Sequence, residues 1–262
     1  KKILPFIAVL LLCRCISLAA QPEYGRYFTD DRLRIDLIFA GNSSEQHAYL
    51  ENLTFEKCWS GTRTNLIPPF DYGEYATEVY DADGALIFSR GFSSLFQEWR
   101  TTEEAAVVSK AFTNCAWIPF PKEQVKVAVT ERTSDGKHRK MLEFTVDPAD
   151  KLICREKEND FKVIPLINNG PVEKKVDICI VAEGYRSGEM GKFIADCKRL
   201  SEYMFTFEPY KSRKDDFNVW VVESVSEESG TDIPHQDIWK NTVAASNFYT
   251  FRIDRYLTAP DH

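Results

Sequence analysis

The residues best able to do chemistry in this sequence are four histidines, His47, His138, His235 and His262, and the polar turn Ala182–Gly188. No two histidines stand at the i, i+4 spacing that aims two imidazoles from one helix face at a metal, and the chain contains no H-E-x-x-H. His235 with Asp237 could offer a cation two ligands, but a solvated polar loop after Pro234 is the plainer reading. His138, between Lys137 and Arg139, reads as exposed. A nucleophile elbow needs G-x-S-x-G. Here Gly184-Tyr185-Arg186-Ser187-Gly188 sets the serine one place late, so Ser187 suits a helix cap. A phosphate loop needs G-x-G-x-x-G or G-x-x-x-x-G-K-[ST]. Gly184, Gly188 and Gly191 match neither.

Three other groups are candidates. Glu183 and Tyr185, flanking Gly184, leave the carboxyl end of a strand, where open α/β sheets commonly place sites. Ser229-Gly230-Thr231-Asp232 follows the next strand and by itself reads as a polar turn. Trp59, Trp99 and Trp117 could form a sugar-stacking platform, although Trp59 falls in a strand pattern that suits a core.

The elements that must position these residues are legible in the hydrophobic pattern. Val176, Ile178, Ile180 and Val181 form a short β-branched run ending at Gly184. Ser187 as cap and Glu189 in the first turn open a helix whose core stripe is Phe193, Cys197, Leu200 and Met204. A strand, Phe217–Val225, follows, so the unit reads as β-α-β. Only about 35 residues remain beyond it, against the ~100 a whole α/β domain usually needs. The domain is therefore expected to be incomplete.

Upstream the signal is strands. Leu33, Ile35, Leu37 and Phe39 alternate with Arg34, Asp36 and Ile38, and Val125, Val127 and Val129 alternate strictly, as do Leu142, Phe144 and Val146. Leu53, Phe55 and Trp59 share a face. Asp81-Ala82-Asp83-Gly84 and Ser134-Asp135-Gly136 read as hairpin turns. Thr101 with Glu104 reads as a capping box for a helix over Ala105–Ser109. Short strands separated by turn signals predict a β-sandwich. The expected organisation is a leader over 1–20, a β-sandwich N-terminal domain over 21–155, a linker over 156–174 carrying the breaker Asn168-Asn169-Gly170-Pro171, and the start of an α/β domain over 175–262.

VDICIVAEGY, FNVWVVESVSEESGTDIP and SNFYTFRIDRYLTAPDH together resemble the IgA-type zinc metallopeptidases of gut bacteria, in which a β-rich domain precedes a zincin-like peptidase domain. The resemblance spans roughly Tyr24 to His262. It implies a zinc hydrolase in which bound water is activated by the metal and a Glu of H-E-x-x-H takes its proton. The family places that motif C-terminal to the stretch seen here. The resemblance marks Glu183, Gly184, Tyr185, Ser229, Gly230 and Thr231 as family-motif loops. It assigns no catalytic residue, cofactor contact or metal ligand within the chain. Zinc is expected of the full-length protein and not of this portion, which is expected to be inactive. The substrate class implied is a protein or glycoprotein. The rival reading is a secreted, non-catalytic glycan- or protein-binding sandwich module.

Composition agrees with a globular extracellular protein. The 262 residues are 44 % hydrophobic and 28 % charged, with a formal net charge of −7, which argues against a nucleic-acid partner. Lys1-Lys2, the apolar Ile3–Leu12 and Ser17-Leu18-Ala19 have the form of a secretory signal peptide, too short for a membrane span. The expected location is secreted or periplasmic. Lipid anchoring at Cys13 or Cys15 is less favoured, because Leu12 and Arg14 precede them. The five later cysteines, Cys58, Cys115, Cys154, Cys179 and Cys197, read as buried thiols, with one disulfide as the alternative. N-terminal sequencing of the exported protein is expected to begin at Ala20 or Gln21. A start at Cys13 or Cys15 with attached lipid would reverse that expectation.

Overall fold

A computed structural model describes residues 21–156 and 161–259. The leader expected over 1–20, the linker residues 157–160 and His262 lie outside the described residues. The first part is β-rich. A four-residue turn of helix, α1 (Tyr24–Tyr27), leads into β1 (Phe28–Gly41), which pairs antiparallel with β2 (Gln46–Glu56) and, much later, with β5 (Lys110–Pro121). A second antiparallel sheet runs in the order β4 (Leu86–Phe92), β3 (Tyr75–Tyr80), β6 (Val125–Arg132), β7 (His138–Val146).

The period-two pattern sets the packing. Leu33, Ile35, Leu37 and Phe39 of β1 are fully buried, as are Val127 and Val129 of β6, and both sheets give their inward residues to one apolar core. Both expected hairpin turns are present. At the first, the Asp81 carboxylate accepts the backbone N–H groups of Asp83 and Ala85, and Gly84 takes φ +80°. A helix closes one end of the core: α2 (Leu95–Trp99) is capped by Ser94 Oγ, which accepts from Gln97 N at 3.1 Å. It inserts Phe96 and Trp99, both fully buried, beside Phe112.

Two expectations fail here. The helix is not at Ala105–Ser109, where only a single 3-10 turn, Glu104–Ala106, forms. Thr101 Oγ1 donates instead to Glu98 O, and the Glu104 carboxylate accepts from Trp99 Nε1 and Lys110 Nζ, so neither is free to cap. The tryptophan platform is also absent. Trp59 lies beyond β2 and is buried, and Trp99 is core, leaving Trp117 at 37 % exposure as the one partly open ring of the three.

The second part is a small mixed sheet. β8 (Lys162–Ile167) lies within the segment expected as linker and pairs antiparallel with β10 (Phe217–Glu223). β10 pairs in parallel with β9 (Val176–Val181), and α3 (Met190–Met204) makes the crossover between them. Ile164, Leu166, Ile180 and Val221 meet Phe193 and Cys197 of the helix. The helix stripe differs from its expected phase. Phe193, Cys197 and then Ser201 are buried, while Leu200 is 53 % exposed. The helix enters through a 3-10 turn, and its cap is not Ser187. Glu189 Oε2 accepts the Arg186 N–H at 2.9 Å.

The cysteines also differ from expectation. All five in the described residues are free; Cys197 is buried, Cys115 and Cys154 are half-buried, and Cys58 and Cys179 are exposed. Cys179 alternates with Ile180 on the edge strand β9, so it faces away from α3. No helix among the described residues is long and apolar enough to cross a membrane. The two parts touch: Phe251 packs on the first core, and Tyr256 Oη donates to Glu98 Oε2 at 2.7 Å.

Leu37→Ala is expected to lower unfolding free energy by about 2–5 kcal/mol, the cost of a cavity where a buried leucine stood. Urea unfolding followed by tryptophan fluorescence measures it. A loss below about 0.5 kcal/mol, the range of neutral surface changes, would show that β1 does not anchor the core.

Candidate functional site

The six loop residues singled out by sequence meet at the carboxyl ends of β9 and β10. Gly184 is the crossing point. Its N–H donates to Ser226 Oγ at 3.1 Å, and its carbonyl accepts from Gly230 N at 2.9 Å. It holds φ +71°, and a Cβ there would lie 2.0 Å from the Gly230 carbonyl oxygen, so only glycine fits. One residue on, Ser226 N donates to Tyr185 O at 2.9 Å.

Glu183 organises the next layer. Its two carboxylate oxygens accept from Ala244 N at 2.9 Å and Ser246 N at 3.1 Å. Burial alone would raise its pKa. Hydrogen bonds from side chains and from these two backbone groups outweigh burial and hold the carboxyl below the usual range. Thr231 Oγ1 donates to Ser246 O at 2.6 Å, tying the second loop to the same turn. Ser229 Oγ donates to Glu189 Oε1 at 3.1 Å, tying it to the start of the helix. Tyr185 packs its ring 5.1 Å from that of Phe193 and donates from Oη to Asp196 Oδ2 at 3.2 Å. Burial and the Asp196 carboxylate both push the phenol upward, so it stays protonated.

Two residues that tie this cluster together, Ser226 and Ser246, were not singled out in the sequence, and Asp232 was read only as part of a polar turn. The Ser226 hydroxyl accepts from both Gly184 N and Val243 N. Asp232 Oδ1 accepts from Lys240 N at 2.5 Å, and its backbone N–H donates to Ser246 O at 3.0 Å. Ser246 receives from Thr231 and Asp232 and gives to Glu183. The density of Ser, Asp and Gly in Ser224–Asp232 was the available signal.

The arrangement is a frame in which most polar groups are engaged, the buried Thr242 hydroxyl excepted. Each Glu183 carboxylate oxygen accepts one backbone N–H, so the side chain serves to hold the 244–246 turn. Ser187 is exposed, with no histidine beside it. Two of the described histidines have separate local partners. His138 Nε2 lies 2.9 Å from Asp71 Oδ2 and its Nδ1 lies 3.1 Å from Thr130 Oγ1, while His235 stacks 5.2 Å from Tyr249. Asp237 takes a left-handed conformation at the end of the Pro234–Gln236 turn.

Comparison with known families decides the identity. Residues 23–143 match the family described as Peptidase M64 N-terminus, and residues 164–261 match IgA Peptidase M64. The chain belongs to the M64 IgA-type peptidase family. The two matches meet the β-rich part and the β8–β10 part in turn. No curated protein matches the chain. M64 is a metallopeptidase family, and a peptidase family implies a protein substrate. Among the described residues no group of three His, Cys, Asp or Glu converges as a metal site, and the Glu183 carboxylate already accepts two backbone N–H groups.

Glu183 gives a signed pH expectation. Its folded pKa lies below the unfolded value near 4.3. The stability it contributes is therefore present above the unfolded pKa and is lost as pH falls through the folded pKa. Glu183→Gln removes one acceptor from a pair of N–H groups and should cost about 1–3 kcal/mol at neutral pH. It should also flatten stability between pH 5 and the folded pKa, both read by thermal unfolding across pH. Equal acid sensitivity in variant and parent would remove Glu183 from this role.

Proposed function

We propose that this chain is the amino-terminal portion of a secreted or periplasmic zinc metallopeptidase acting on protein or glycoprotein. In this reading its zinc ligands lie outside the 262 residues. The observation that carries the reading is the pair of consecutive M64 matches, over 23–143 and 164–261. The β-rich part is then a sandwich domain serving the peptidase domain, and β8–β10 with α3 is the opening of a zincin-like sheet. The saturated loop cluster supports this division of labour. Its glycine crossing and the Glu183 hydrogen bonds fix backbone positions. Such a frame suits the wall of a peptidase site better than its reacting centre. The rival reading, a binding module built on the sandwich, loses its aromatic platform because Trp59 and Trp99 are interior.

Metal analysis separates the two readings. The 262-residue chain, washed with a weak chelator, is expected to carry no stoichiometric zinc and to cleave no peptide. The product of the reading frame continued past His262 is expected to hold about one zinc per chain and to lose proteolysis to a strong chelator. A continued product without zinc and without proteolysis would overturn the proposal in favour of the binding module.

A further inference from the structure

The segment that follows the 242–246 turn doubles back on itself. Asn247 N donates to Thr258 O at 2.8 Å and Thr258 N to Asn247 O at 3.0 Å, so residues 247–258 form a closed strap. Thr250 Oγ1 lies 2.7 Å from Thr258 Oγ1, and Thr250 N donates to Tyr256 O at 3.2 Å, which tightens its base. That base adjoins the frame at the strand ends. Ser246, the residue before it, donates to Glu183 and accepts from Thr231 and Asp232.

The strap is also held by the other part of the chain. Phe251 packs on the apolar core of the β-rich part. Tyr256 Oη donates to Glu98 Oε2 of α2 at 2.7 Å, across 158 positions of sequence. That hydrogen bond is the main reason the Tyr256 phenol is pushed above its ordinary range. The two rings meet edge to face with centroids 5.7 Å apart, so the two handholds form one unit. Charge adds to the contact. The Glu104 carboxyl is held low chiefly by hydrogen bonds from Lys110 and Trp99, and the Arg252 charge contributes in the same direction.

The strap's backbone needs such support. Tyr249, Phe251 and Arg252 take φ of 68°, 53° and 64°, a left-handed region that residues with a Cβ seldom adopt. Backbone of this kind persists where surrounding contacts over-determine it. The His235 ring against Tyr249 and the Asn247–Thr258 pair supply some of those contacts from within the second part. Phe251 and Tyr256 draw theirs from the β-rich part.

We propose that the β-rich part acts as a clamp on the loop frame: its grip on Phe251 and Tyr256 keeps the strap in its left-handed form, and the closed base of the strap then keeps the 242–246 turn seated on Glu183. Phe251 and Tyr256 are positioning residues in this scheme, because they act on the frame through the strap. The clamp gives the β-rich part a mechanical task within the 262 residues. It holds whether or not the continued product is a peptidase.

Hydrogen–deuterium exchange of the full chain, read by mass spectrometry, is the test. Glu98→Ala changes an exposed side chain of α2 and leaves every residue of the strap and frame in place. It is expected to speed exchange about fivefold in peptides covering 242–247, where the Val243, Ala244 and Ser246 amides make the frame's hydrogen bonds. Tyr256→Phe removes the other half of the same bond and is expected to match it, with no further gain in the double variant. Arg255→Ala, at an exposed strap residue, is expected to change nothing at 242–247. Exchange in β1 is expected to stay the same in every variant. Faster exchange confined to 249–258 would reduce the strap to a local anchor and overturn the clamp. An equal rise in β1, or no change at 242–247 with either Glu98→Ala or Tyr256→Phe, would overturn it as well. Neither zinc nor proteolysis enters this readout. Its failure strikes the clamp alone, and a zinc-free, inactive continued product strikes the peptidase reading alone.

Discussion

The second part of this protein depends on one steric constraint: two backbones cross at Gly184 and Gly230 with no room for a Cβ between them. From that crossing the order of the loops follows. The Gly184 N–H and the Val243 N–H share the Ser226 hydroxyl, which draws the 242–246 turn over the strand ends. Glu183 then clamps that turn from below and Thr231 from the side. The turn leads directly into the 249–256 segment that fastens onto the β-rich part through Phe251 and Tyr256. A contact between two glycines therefore governs how the peptidase-like part meets its neighbour.

The chemistry of the cluster follows from saturation. A carboxylate with two backbone donors is a poor base and a poor ligand, because using it would first cost those hydrogen bonds. A phenol beside a carboxylate stays protonated. Glu183, Tyr185, Ser229 and Thr231 each have a hydrogen-bond partner within the cluster, which is why these side chains hold a frame in place.

What was legible in the sequence is what short-range physics controls. The turns at Asp81–Gly84 and Ser134–Gly136 carry their own hydrogen-bonding side chains and left-handed glycines, and β1 shows its buried face by strict alternation. The β-α-β unit was readable from a β-branched run, a glycine and a helical stripe. What escaped depended on partners distant in sequence or on too few residues. α2 has five residues, too short for periodicity to show, although Ser94 and Gln97 form a cap signal. Leu200 and Ser201 differ by one helix position, and only the placement of the sheet decides which is inward. Cys179 alternates correctly, yet which face α3 would cover was not written locally. β8 looked like linker because its apolar run is short and contains Pro165, which an edge strand tolerates. The six loop residues were found as two separate motifs. Their meeting, through Ser226, Asp232 and Ser246, spans dozens of intervening residues.

The pairing of β1 has a consequence for the order of folding. Its Phe28 lies opposite Pro121, and in the mixed sheet Lys162 lies opposite Glu223. Neither of these two sheets can be completed from neighbouring hairpins. During synthesis the β1 sheet waits for residues near 121 to leave the ribosome, holding its apolar face open meanwhile, and the mixed sheet waits for residues near 223. Such high contact order slows closure. The nascent chain therefore carries exposed strand faces until those distant partners emerge.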